Sequence, residues 1–171
     1  MKSFAAVVKT ALVLCTAAFL VACSGSDTKD ADDAAARAAA EAAAAEEAAM
    51  AVDEARMRSL QDAVIAAGNV FYFEFDSSVL TPETQRALDA HIALLVNNND
   101  MIRLGGHTDE RGTRAYNMAL GERRGNSVRD YMVLNGIDGS RIEVISYGEE
   151  KPAVYGSGEA VWAQNRRVVL Q

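Results

Sequence analysis

Cysteine, histidine, proline and tryptophan are all scarce in these 171 residues, at two, two, two and one. Both cysteines, Cys15 and Cys23, stand near the N-terminus. The rest of the chain therefore has no disulfide framework, no cysteine metal site and no thiol nucleophile. His91 and His107 form no HxxxH ligand pair, and no GxSxG turn appears, which argues against a zinc hydrolase or a serine hydrolase. Positive charge is also short, with 17 Lys and Arg against 24 Asp and Glu and a formal net charge of −7. That balance disfavours nucleic acid and anionic membrane surfaces as partners. The apolar run from Ala11 to Ala22 falls short of the roughly 20 residues that span a bilayer. A non-enzymatic protein without metal or cofactor is the expectation.

What is present begins with that run. Lys2 and Lys9 precede it, small residues follow, and Cys23 closes the stretch Leu20-Val21-Ala22-Cys23. A basic n-region, a short apolar h-region and a small-residue cut describe a secretory signal over residues 1–22. Leu20-Val21-Ala22-Cys23 resembles the lipobox of bacterial lipoproteins, which implies acylation of Cys23; an ordinary signal peptide with an incidental cysteine is the alternative. Residues 24–33 are small and polar, a flexible spacer by composition. From Ala34 to Ala67 there is neither Gly nor Pro. Ala, Glu and Arg favour helix, with Asp32 or Asp33 as cap and Gly68-Asn69 as stop. Such a helix would be roughly 50 Å long at 1.5 Å per residue. Met50, Met57 and Val64 recur every seventh residue and Leu60 fits between them, a hint of self-association that Asp53 interrupts. The simpler reading is a solvated helical arm.

The folded domain is expected over residues 70–171. Val70 to Phe75 reads as a strand with Phe71, Phe73 and Phe75 on one face. Thr81-Pro82-Glu83 opens a helix, with a capping hydroxyl, Pro in the first turn and an acid against the dipole. Leu88, Ile92 and Leu95 line its buried face, and His91 sits at the edge as a hydrogen-bonded core histidine. Met101–Leu104 is a second short strand, followed by Gly105-Gly106, which permits close backbone approach. Thr113 caps a long helix ending at Asn135-Gly136. Arg141–Tyr147 alternates as a third strand, residues 159–164 make a helical turn, and Arg166–Leu170 is the last strand. Strands alternating with helices give an α/β fold, helices packed on one mixed sheet, since the last strand returns without a long crossover.

Charge in the stretch Leu104–Arg124 is the strongest functional signal. Arg124 lies in line with Tyr116, Leu120 and Val128 on one helix face. A guanidinium on a core-facing stripe must be paired and hydrogen-bonded. Asp109, in the loop before the helix, is the nearest candidate. Two readings stand: a structural Asp109–Arg124 ion pair, or a receptor for a zwitterion, Asp109 for an ammonium and Arg124 for a carboxylate. Asp76 and Thr108–Thr113 fall after strands, at the rim where α/β layers bind ligands. Asn117 and Asn165 fit equally well as buried network amides, and His107 as a buttress of the loop.

The run GHTDERGTRAYNMALGERRGNSVRDY resembles the signature of the OmpA-like C-terminal domain family and, within it, its lipoproteins associated with peptidoglycan. FYFEFDSSVLTPE at 71–83, ISYGEEKP at 145–152 and WAQNRRVVL at 162–170 follow in the same order. Gly125 departs from the Ala more usual there, weakening the helix by up to about 1 kcal/mol. The resemblance implies an OmpA-like sandwich preceded by a helical Ala-rich linker over 23–69. It implies non-covalent binding of the peptide stem of peptidoglycan, through meso-diaminopimelate, by Asp109 and Arg124. Asp76, Thr108, Arg111, Asn117 and Leu120 are further contact candidates. It implies acylation of Cys23 with three chains, and Ser24, in place of Asp, favours the outer membrane. The domain would then face the periplasm and tether membrane to wall, with a soluble β-propeller protein of the Tol system as a further partner. The alternative is a peptidoglycan-binding lipoprotein of the same family outside that system. Relatives in flagellar stators or porins need a transmembrane helix or a β-barrel, and residues 24–69 offer neither.

Overall fold

The computed structural model describes residues 27–171. The expected signal peptide and Cys23 lie outside the described residues. The described residues divide into two units, 27–47 and 48–171. Helix α1 runs over Asp27–Ala67, seven residues longer at its start than expected, so the polar segment before Ala34 is helical from Asp27. Gly68, at φ +68°, ends it. No helix among the described residues is long and apolar enough to cross a membrane.

Strands β1 (Val70–Tyr72), β2 (Ile102–His107), β3 (Ile142–Gly148) and β4 (Arg167–Leu170) form one sheet in the order β1-β4-β2-β3. β4 runs antiparallel to both β1 and β2, while β2 and β3 are parallel. The mixed sheet expected from the missing last crossover is present. Helices α2 (Pro82–Leu95), α3 (Arg114–Leu134) and α4 (Glu159–Asn165) complete the domain. Phe71, Leu88, Leu104, Val128, Met132 and Val168 are each at most 1 % exposed and form one core with Ile92, Ile102 and Ile142. Burying one such aliphatic side chain contributes about 1.5–3 kcal/mol.

Local signals set the helix starts. The Thr81 hydroxyl accepts from Thr84 N and that of Thr113 from Tyr116 N, each satisfying an otherwise orphan amide. His91 is buried, its Nε2 2.7 Å from the Gly68 carbonyl and its ring edge-on to Phe71.

Three expectations are corrected. β1 stops at Tyr72, and a turn at Phe75-Asp76 puts Phe75 out at 56 % exposure while Phe71 and Phe73 stay buried. The Glu74 and Ser77 carbonyls are claimed by Arg124 instead of a neighbouring strand. β2 continues through Gly105-Gly106 to His107, since α3 lies directly on it: a Cβ on Gly106 would collide with the Gly121 carbonyl. Gly125 is explained the same way, because a Cβ there would stand 2.5 Å from Val144 Cγ1. The lost helix propensity is the condition for close packing of α3 on the sheet.

Candidate functional site

The buried face of α3 carries Asn117, Leu120, Gly121, Arg124, Gly125, Val128 and Met132. This i, i+3, i+4, i+7 pattern is interrupted by one full charge. Tyr116, expected on that stripe, is 44 % exposed and donates its hydroxyl proton to Asp76 instead. Arg124 is fully buried. Its Nε donates to Ser77 O at 2.8 Å, Nη1 to His107 O at 3.0 Å and Nη2 to Glu74 O at 3.0 Å. Among the described residues no carboxylate comes within 4.0 Å of it. The Asp109–Arg124 ion pair of the structural reading is not formed. Burial lowers the guanidinium to about 10, against the pull of Asp109.

Asp109, 4 % exposed, is engaged on its other side. Arg111 grips it through Nε to Oδ1 at 3.2 Å and Nη2 to Oδ2 at 2.7 Å, with its backbone N–H on Oδ1 at 3.1 Å. Arg166 Nη1 adds a 3.4 Å contact to Oδ2. Burial alone would raise the Asp109 carboxyl, but the Arg111 hydrogen bonds and charge hold it below its ordinary value.

Between these groups lies a cavity of about 170 Å³, lined by Phe75, Asp76, Thr108, Asp109, Arg111, Gly112, Tyr116, Asn117, Leu120 and Arg124. All seven residues named from the sequence as ligand contacts therefore border one space. Asp76 reaches it from a left-handed turn at φ +53°. Thr108 is 2 % exposed and its buried hydroxyl has no partner among the described residues. Asn117 donates to Arg111 O at 3.1 Å and to Glu149, so it braces the loop as well as lining the cavity. Asn165 is the network amide, accepting from the backbone of Ala153 and Val154 and donating to Val154 O. His107 buttresses the strand end: it is 5 % exposed, lies against Tyr147, and burial lowers it to about 4.

Sequence reasoning missed Phe75, Tyr116 and Arg166. The Phe75-Asp76 pair directly after a strand was a usable signal for the first. Arg166, expected to open the last strand, instead follows the end of α4 in a buried position just before β4, and only the fold brings it to Asp109. Among the described residues no group of three His, Cys, Asp or Glu is arranged to hold a metal.

A buried cation on α3 and a buried anion in the loop after β2 border one cavity above a β1-β4-β2-β3 sheet, in the arrangement expected of an OmpA-like domain. Residues 72–166 match the OmpA family, and the chain belongs to it. Within the family it is similar to the peptidoglycan-associated lipoproteins. It is 40 % identical over 164 residues to that of Haemophilus influenzae, covering 95 % of this chain and 96 % of that protein. To that of Pseudomonas putida it is 53 % identical over 111 residues, 65 % of this chain and 67 % of that protein. The crystal structure of the peptidoglycan-associated lipoprotein from Burkholderia pseudomallei superposes with a TM-score of 0.59 at 42 % identity, over 61 % of this chain and 92 % of that one.

Proposed function

We propose that this domain binds the peptide stem of peptidoglycan without covalent attachment, receiving the free amino-acid end of meso-diaminopimelate in the Asp76–Arg124 cavity. The observation that supports it most is Arg124: a buried guanidinium lining a cavity, with no carboxylate within 4.0 Å among the described residues. A ligand carboxylate completes that charge, and guanidinium and carboxylate pair in bidentate fashion. The unpartnered Thr108 hydroxyl offers it a further hydrogen bond. Asp76 and Asp109 on the facing side suit the ammonium of the same ligand. At about 170 Å³ the cavity is below the about 300–1,000 Å³ of whole-ligand pockets, which fits the capture of one end of a long polymer stem. No acid–base pair or nucleophile is called on, so the activity is binding and not catalysis.

In the same reading residues 1–22 are a signal peptide, Cys23 carries lipid in the outer membrane, residues 24–69 are the linker, and residues 70–171 hold the wall from the periplasm. A single acyl chain anchors only marginally, and the three chains that the resemblance implies are enough for a durable tether. The tether serves the Tol–Pal system of envelope integrity and cell division, with a soluble β-propeller partner docking at the same rim. Simultaneous binding of that partner and peptidoglycan would count against the shared rim.

Retention on purified sacculi tests the central claim. Wild-type protein is expected to sediment with sacculi, and free diaminopimelate-containing tripeptide is expected to release it. Retention that tripeptide leaves untouched overturns the assignment of this cavity. Labelled palmitate entering the chain, and failing to enter Cys23→Ala, tests the anchor.

A further inference from the structure

Asp109 has no acceptor left for a ligand. A carboxylate oxygen offers about two lone-pair sites. Oδ1 takes the Arg111 backbone N–H and Nε, and Oδ2 takes Arg111 Nη2 and Arg166 Nη1. An incoming ammonium therefore meets a carboxylate already occupied by a cation of the chain itself.

Arg111 is the occupant able to move. Its side chain is 29 % exposed, whereas that of Arg166 is 5 % exposed and also bonded to Phe73 O. The Arg111 guanidinium lies between two aromatic faces, 3.9 Å from the ring centre of Phe75 and 4.1 Å from Trp162. Such faces attract a cation without pinning it through directional hydrogen bonds. A second carboxylate waits at the outer end of this slot: Glu159 Oε2 is 3.8 Å from Arg111 Nη1 and 64 % exposed. Arg111 thus has a buried acceptor in use and an outer one just beyond hydrogen-bond length.

Resting on the function proposed above, we infer that Arg111 is a tethered competitor for the ligand's ammonium, a latch that shifts from Asp109 to Glu159 when a zwitterion enters. The ligand's cation takes the vacated lone pairs of Asp109, and the arginine keeps its aromatic slot and gains Glu159. The latch makes the site selective for an amino-acid end carrying both charges. A ligand with a carboxylate alone reaches Arg124 but leaves Asp109 closed.

The test is calorimetry of the purified full chain with two probes, a diaminopimelate-containing tripeptide and the same tripeptide acetylated on the free amine of its diaminopimelate. Arg111→Met keeps an unbranched apolar stem and removes the charge. It is expected to tighten the free-amine tripeptide by about tenfold, the equivalent of one decade in Kd, and to leave the acetylated one within about twofold. Glu159→Gln, at an exposed position, leaves an acceptor oxygen for Arg166 Nη2, 2.6 Å away in wild type, and removes the outer negative charge; it is expected to weaken the free-amine tripeptide about threefold with the acetylated one unchanged. Arg111→Met binding both probes more weakly, in proportion, makes Arg111 a positioning residue and overturns the latch alone. Should Arg111→Met fail to fold, an unchanged or tighter free-amine affinity in Glu159→Gln overturns it by itself. If wild type binds neither tripeptide, the function proposed above falls and the latch with it.

Discussion

The two walls of the cavity hold opposite charges by different means. On one side Arg124 is bound to three backbone carbonyls and to no acid. On the other, Asp109 is bound to two arginines that also reach the exposed Glu159. Carbonyls are neutral, so the Arg124 wall keeps its full charge for a ligand, and it ties the β1–α2 loop to the end of β2 in doing so. The Asp109 wall is an ion cluster in which charge is already spent internally. The difference separates a rigid receptor for a carboxylate from an adjustable one for an ammonium.

Breaking the first wall is expected to do the most harm. Arg124→Ala leaves the Glu74, Ser77 and His107 carbonyls without their donor, and unmade buried hydrogen bonds cost about 1–3 kcal/mol each. A loss of about 3–5 kcal/mol is expected in denaturant titration, together with loss of sacculus retention. A variant that melts like wild type would show that the carbonyls find other donors and that the wall is not one unit.

Acid separates the walls next. His107, whose carbonyl holds Arg124, is lowered to about 4 from 6.5. The unfolded chain therefore takes up the proton first. Stability is full above pH 6.5, declines as pH falls, and levels off below about 4, by up to about 3 kcal/mol. Asp109 is lowered as well, so its contribution is present above its ordinary value of 3.8 and is lost only as pH falls below it. Melting temperature against pH should thus fall in two stages, and His107→Gln should erase the upper one. A single stage below pH 4 would place the whole acid response in the carboxylates.

Asp109→Asn tests the second wall more gently. It keeps the shape and one acceptor but strands Arg166 without its buried anion, and a stability loss of about 1–3 kcal/mol is expected. Retention on sacculi should drop while circular dichroism stays native. Smallest is Phe75→Leu, which removes one aromatic face from Arg111. Cation–π contacts at partly exposed sites contribute about 0.5–1 kcal/mol, so a shift of that size, and no larger, should appear in the melting curve.

Much of this was legible in the chain. Thr81-Pro82 and Thr113 start α2 and α3 as their side chains require. The mixed sheet followed from the order of elements. The seven candidate residues share a cavity since they sit at the two strand ends and on the one helix that the rim brings together. Other features depended on contacts distant in sequence. Phe75 continues an alternating pattern and still turns outward, because Arg124, 49 positions on, takes the carbonyls around it. Arg166 reads as an ordinary residue beside the last strand until β4 inserts between β1 and β2 and carries it to Asp109. Gly125 looked like a weak point in a helix and is a point of closest packing.

The sequence by itself determined the caps, the helical stretch without Gly or Pro, the apolar faces and the family, because these depend on residues within a few positions of one another or on a long motif. Only the tertiary structure decided which groups hold Arg124 and Asp109. A buried charge takes whichever donors and acceptors the fold brings within about 3 Å, and those come from chain segments that no local pattern connects.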